Sequence, residues 1–249
     1  MLTDQKKLIV FQAQTQNVRE LQATLANLKR LIHRDFISGN TSSAKALTRL
    51  VALSYSAWAE ALFSKLIHTP YGFSCAEIDS IKAVGSRNVV NGWKKCVELG
   101  LARIASADPG DVLNAKEKLD ELVKTYIEEP SQLRNKIAHG QLVQALNSKN
   151  DDINAGLTAD ILSLDIVKLD RLRSGAQGLA DMIEMIIESP EKNGMKHFAA
   201  VSRRIVEDLD RTQAFRIEDK IALIKAKYSR SPRAKGAVTN EVQNNQMAS

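Results

Sequence analysis

Two residues of one short segment are of types that do chemistry without a metal. In "SQLRNKIAHGQL", residues 131 to 142, Arg134 stands five positions before His139, Asn135 sits beside the arginine and Gly140 follows the histidine. Histidine titrates close to neutral pH, so it can take a proton and return it. Arginine keeps its charge at any working pH and presents a planar fork matched to phosphate oxygens. The two suit cleavage of RNA by its own 2′-hydroxyl, with the histidine moving the proton and the arginine holding the charge that builds on the phosphate oxygens. Taken alone, the pair also fits a surface arginine followed by a histidine at a helix end.

Helical geometry constrains the pair. At 100° per residue, five positions separate the two side chains by about 140° around the axis. Leu133 and Ile137, four apart, mark the buried stripe, so Arg134 and His139 flank it on different sides. One straight helix does not aim both at a single phosphate. The arginine must reach across, the helix must end before His139, or a second copy must complete the site. Gly140 is a natural helix stop, which leaves His139 at the carbonyl end of the helix.

Other chemistries lack their residues. His33, His68, His139 and His197 are the only histidines, and none lies three or four positions from another. HExxH and the Glu-x-x-His pairs of carboxylate-bridged di-metal bundles are absent, so no metal or other cofactor is expected. The 12 glycines are scattered, without a phosphate-cradling GxxxxGK or GxGxxG, and there is no Gly-x-Ser-x-Gly elbow. Cys75 and Cys96 are the only cysteines and form no CxxC pair, as expected of reduced thiols in a cytoplasmic protein. No uninterrupted apolar run reaches membrane-spanning length, and no signal-peptide pattern opens the chain.

The elements that must position the pair read as helices. The 249 residues are 44% hydrophobic and only 5% aromatic, with 12 glycines and 5 prolines, a balance that favours an all-α fold. Residues 4 to 37 form one amphipathic helix, with Val18, Leu21, Leu25, Leu28 and Ile32 as its seam. Gly39-Asn40 breaks it, and Thr41, Ser42 or Ser43 can cap a second helix to about Ile67, whose buried face and rim run from Leu47, Leu50 and Val51 to Trp58 and Leu62. Shorter helices are expected near 75 to 84 and 88 to 105, then one from 112 to 128 capped by Asp111. Pro130 opens the short helix that carries the motif. A polar loop at 147 to 156 leads to a long helix at 159 to 188, and a last helical stretch covers 195 to 228.

These elements divide into an antiparallel bundle over 1–190, a helical extension over 191–228 and a disordered tail over 229–249. The net charge is +6, and Lys225, Lys227, Arg230, Arg233 and Lys235 against Glu241 put four of those charges from residue 225 onward. Such a tail holds RNA by counterion release or simply solubilises the chain.

"LRNKIAHG" resembles the active-site motif of the HEPN superfamily, small helical-bundle proteins common in bacterial toxin–antitoxin and phage-defence systems. Arg134, Asn135 and His139 match it, and the motif follows the first long helices and precedes another, as in that family. "SYSAWAEAL", residues 54 to 62, looks like the early helix of such proteins. The resemblance covers roughly residues 5 to 190. It implies a metal-independent endoribonuclease that works as a homodimer, with the two motifs meeting at the interface. His139 would be the acid/base, Arg134 the phosphate-stabilising group and Asn135 an orienting residue, with Lys136 and Glu60 in contact with substrate. An antitoxin or sensor partner would restrain it. Where one branch of the family carries a modifiable tyrosine two residues after the histidine, this chain has Gln141, which implies a different means of control. Many members are instead non-catalytic binding or assembly modules, and such a module could use the seam of residues 18 to 32 to pair with another chain.

Overall fold

Helix α1 (Asp4–Ser38) and helix α2 (Thr41–Ile67) are joined by Gly39 and Asn40 alone, which forces them antiparallel. Gly39 takes φ +76° as the left-handed stop of α1, and the Asn40 side chain then caps α2 by accepting from the Ser43 N–H at 3.1 Å. The cap is therefore Asn40 and not one of the three hydroxyl residues after it, because the turn ends one residue earlier than the hydroxyl pattern suggests. In a computed structural model, residues 2–86, 88–104, 108–188, 190 and 195–230 are described, the side chains of 195–197 excepted.

The chain continues through α3 (Cys75–Gly85), α4 (Val89–Leu101), α5 (Pro109–Val123), a π-helical turn (Lys124–Glu128), α6 (Glu129–Ala138), α7 (Ala155–Leu162), α8 (Ile166–Glu188), α9 (Met195–Arg211) and α10 (Ile217–Ser229). Among the described residues no strand occurs, and the only β-pairing is an isolated bridge between Leu146 and Ile153. The fold is an all-α helical bundle. The expected tail over 229–249 falls outside the described residues, apart from Ser229, the last residue of α10, and Arg230.

Long helices α1, α2 and α8 carry the core. Val18, Leu25 and Ile32 of the α1 seam are buried, while Leu21 and Leu28 lie at its edge. Helix α2 buries Val51, Trp58, Ala61, Leu62 and Leu66, but Leu50, expected on the buried face, is 49% exposed. The most apolar window of α2 has a mean hydropathy of 1.2, long and apolar enough to cross a membrane by composition alone. Its Val51, Trp58 and Leu62 instead pack into the protein core, where burial contributes on the order of 2 kcal/mol per large apolar side chain. Phe198 and Leu209 of α9 join the same cluster, whereas α10 buries no residue.

Several helix boundaries differ from the periodicity. Helix α5 begins at Pro109, with Asp108 rather than Asp111 as its cap, accepting from Gly110 N–H at 2.7 Å. The expected helix over 159–188 is two helices. The Asp165 carboxylate accepts from the N–H groups of Val167 and Lys168 at 2.7 and 2.9 Å and starts α8 afresh, which leaves Leu162 exposed. The stretch 195–228 is likewise divided, by the turn at 212–216.

The expected helix over 112–128 ends its α-helical bonding at Val123, and the π turn follows from Pro130. Proline has no N–H for the carbonyl four residues back, here that of Tyr126, and its ring crowds that carbonyl. The wider turn makes room, and the Tyr55 hydroxyl donates to the Tyr126 carbonyl at 3.0 Å. Burial raises the Tyr55 phenol well above its ordinary pKa, so it remains a donor at neutral pH. Helix α8 reaches this turn through Gly175, where a Cβ would lie 2.3 Å from Cδ1 of Tyr126. Replacing Tyr55 by phenylalanine leaves the Tyr126 carbonyl without that donor. The expected loss is about 1–3 kcal/mol of stability in urea unfolding, together with faster amide exchange along α6. Unchanged stability would show that the hydroxyl does not brace the turn.

Candidate functional site

Helix α6 is set by three local features. Pro130 starts it, Ile137 and Leu133 anchor it to the core, and Gly140 ends it at φ +78°. The Gln141 N–H donates to Lys136 O at 2.9 Å and the Gly140 N–H to Ile137 O at 3.1 Å, the paired closure of a helix that stops on a left-handed glycine. His139 is the residue at this closure, exposed at the carbonyl end.

The five candidate residues do not share one site within the chain. Gln132, Asn135, Lys136 and His139 line an open polar groove of about 950 Å³, with Asn147 and Ser148 on the opposite wall. Arg134 lines a different and much smaller cleft, of about 30 Å³, together with Glu60, Tyr55 and Tyr126. The separation around the axis is the one that the five-residue spacing dictates. A single chain therefore brings Asn135 and Lys136 to His139 and leaves Arg134 and Glu60 on the other side of α6.

Arg134 and Glu60 are partners. The Arg134 Nη2 donates to Glu60 Oε1, and the Glu60 side chain stays 58% exposed. The Arg134 Nε is buried and meets no acceptor among the described residues. The guanidinium thus holds one resident anion and keeps an unused donor. His139 and Asn135 are both exposed, and among the described residues neither side chain takes a hydrogen bond, so the groove offers a free imidazole beside a free amide.

Lys136 is engaged more firmly. Its Nζ donates to Leu146 O at 2.6 Å, while the Gln141 Oε1 accepts from Leu146 N–H at 2.8 Å. Both backbone groups of Leu146 are thereby held by side chains flanking His139, and the loop from 141 to 154 is pinned as the far wall of the groove. The bridge to Ile153 and the bond from Ala145 N–H to Thr158 Oγ1 at 2.9 Å complete this anchoring. Gln141 was not a candidate site residue, and its pairing with a position five residues on leaves no periodic signal. Among the described residues no cluster of three His, Cys, Asp or Glu side chains could hold a metal ion, and both cysteines are free thiols.

No family model, no curated protein and no solved structure matches the chain. The functional argument therefore rests on the residues and their geometry.

Proposed function

We propose that this protein is a metal-independent endoribonuclease of toxin or phage-defence type, acting in the cytoplasm as a homodimer whose catalytic centre is completed between two copies of α6. The observation that carries the reading is the free His139 imidazole beside the free Asn135 amide, in an open groove of about 950 Å³ lined mostly by polar side chains. His139 takes the 2′-hydroxyl proton as that oxygen attacks phosphorus and returns it to the 5′-oxygen, which departs as a hydroxyl when its bond to phosphorus breaks. Arg134 of the second copy stabilises the phosphate oxygens, releasing Glu60 as it does so. Unpaired RNA is the substrate class, because its backbone can bend to bring the 2′-hydroxyl in line. Exposed Lys225 and Lys227 on α10 add positive charge for an RNA partner.

The test is RNA cleavage by the purified chain in EDTA, with product ends identified by mass spectrometry. Cyclic 2′,3′-phosphate and 5′-hydroxyl ends are expected, and none from His139→Ala. Products with 3′-hydroxyl and 5′-phosphate ends would mean that water is the nucleophile and would overturn the assignment of His139. A second reading, a non-catalytic helical assembly module, is favoured by the internal engagement of both Arg134 and Lys136. Intact RNA from a folded dimer would support it.

A further inference from the structure

Behind α6, the π turn, the end of α7, the first turns of α8 and the end of α9 wall a hollow of about 370 Å³. It shares Tyr126 and Pro130 with the cleft at Arg134, and no residue with the groove at His139. Pro130, Leu133, Leu164, Leu172 and Leu209 supply apolar surface. Five charged side chains stand around it, the acids Glu129, Asp160 and Asp210 and the bases Lys168 and Arg171. Among the described residues none of the five forms an ion pair, so charges of both signs face one hollow without neutralising each other.

Tyr126 adds an unsatisfied polar group. The residue is 9% exposed, and Tyr55 donates only to its backbone carbonyl. Among the described residues its own hydroxyl has no hydrogen-bond partner, and the oxygen is not sealed off from the hollow. Burial raises the phenol above its ordinary pKa, and the charges that act on it next are those of Arg171 and Asp210, both on this hollow, ahead of Glu121. The hydroxyl therefore faces this side, and not Arg134 with Glu60. Arg171 is positioned for the same space. Its Nη2 donates to Thr212 O at 2.6 Å and Gln213 O at 3.0 Å, which fixes the guanidinium, while Nη1 takes no partner among the described residues. A buried donor held in place without a partner is costly, and a ligand oxygen removes that cost.

The charge pattern selects the ligand. A plain anion would face three carboxylates, and a plain cation would face Lys168 and Arg171. A zwitterion satisfies both sets, and the leucine-lined wall requires an apolar group on it. The volume is close to the lower end of small-ligand sites, which suits a ligand of amino-acid size. We propose that this hollow binds a free α-amino acid with an aliphatic or aromatic side chain. Its carboxylate accepts from the Tyr126 hydroxyl and lies toward Lys168 and Arg171, its ammonium donates to Asp210, and its side chain packs on Leu133, Leu164 and Leu172. Binding requires no RNA cleavage.

Isothermal titration of the full-length chain with L-leucine and L-phenylalanine tests it. L-leucinamide, which lacks the carboxylate, 4-methylpentanoate, which lacks the amino group, and glycine, which lacks the side chain, are the controls. At least one of the two amino acids is expected to bind with Kd below about 1 mM, and each control at least ~10-fold more weakly. Tyr126→Phe keeps the ring and the backbone carbonyl, and Asp210→Asn alters an exposed residue. Each should lose at least ~10-fold in amino-acid affinity at an unchanged melting temperature. Asp210→Asn should bind 4-methylpentanoate no more weakly than the parent does, because that probe has no ammonium to lose. His139→Ala should bind leucine as the parent does, so the result stands apart from the outcome of the cleavage test. No binding of either amino acid at about 1 mM would overturn the proposal. So would full affinity in either variant, or leucinamide or 4-methylpentanoate binding as tightly as leucine.

Discussion

An equimolar mixture of Arg134→Ala and His139→Ala, dissociated and allowed to reassociate, regains RNA cleavage that neither variant shows alone. Each substitution by itself removes a group that acts on the reacting phosphate, and the expected loss is on the order of 10²–10⁴-fold. The recovery follows from where α6 places the two side chains. Arg134 opens into the cleft with Glu60 and His139 into the groove with Asn135, so one chain does not furnish both to one phosphate. In a two-fold dimer with shared sites, half of the reassociated dimers are mixed. Each mixed dimer joins an intact arginine to an intact histidine at one of its two sites, which gives roughly a quarter of the parental rate. Cleavage rates measured before and after mixing decide the matter. A mixture as silent as its components would place both groups within one protomer and would require α6 to distort.

Trp58→Ala is the substitution with the largest expected cost in stability. Trp58 is 0% exposed at the middle of α2, and its ring lies 5.9 Å from that of Tyr55, centroid to centroid. Truncation removes one of the two largest side chains in the core and opens a void among packed helices, at about 3–5 kcal/mol. That is a large part of the ~5–15 kcal/mol that holds a typical domain folded. The melting temperature should fall by roughly 2–4 °C for each kcal/mol lost. Trp93, 1% exposed and the only other tryptophan, remains as the fluorescent reporter of unfolding. Trp58→Phe should cost far less, because the Trp58 Nε1 meets no acceptor among the described residues and phenylalanine removes that unpaired donor. A loss below about 1 kcal/mol for Trp58→Ala would contradict its place at the packed centre.

Much of the helical plan was legible because α1 and α2 bury one periodic face and end on residues that leave little choice, Gly39 and the Thr69-Pro70 pair. The break at 163–165 was hidden, since Leu162, Ile166 and Leu169 keep a helical spacing straight across it. Only the Asp165 side chain, which satisfies two backbone N–H groups, marks the restart. The π turn was hidden for a related reason. Pro130 announced a disturbance, but the donor that compensates it is Tyr55, 71 positions before the Tyr126 carbonyl that accepts from it.

The candidate site divides the same way. That Arg134 and His139 face different sides of α6 follows from the arithmetic of the helix. That Arg134 meets Glu60, 74 residues earlier, is decided by how α6 lies along α2, which no local pattern records. Lys136 is the sharper lesson. A lysine beside an arginine and a histidine invites assignment to substrate, and one of its three ammonium donors already goes to Leu146 O, where it braces the loop.

The Glu60 carboxylate makes the Arg134 charge conditional. On the proposed reading, a phosphate that reaches Arg134 competes with an anion that is already tethered in place and returns as soon as the visitor leaves. A free mononucleotide meets that competitor once per encounter and loses to its proximity. A polymer whose neighbouring phosphates remain close after each dissociation meets it repeatedly, with the advantage of its own high local concentration. Under the proposed function the pair would therefore act as a filter for chain length, set by two side chains before any base is read.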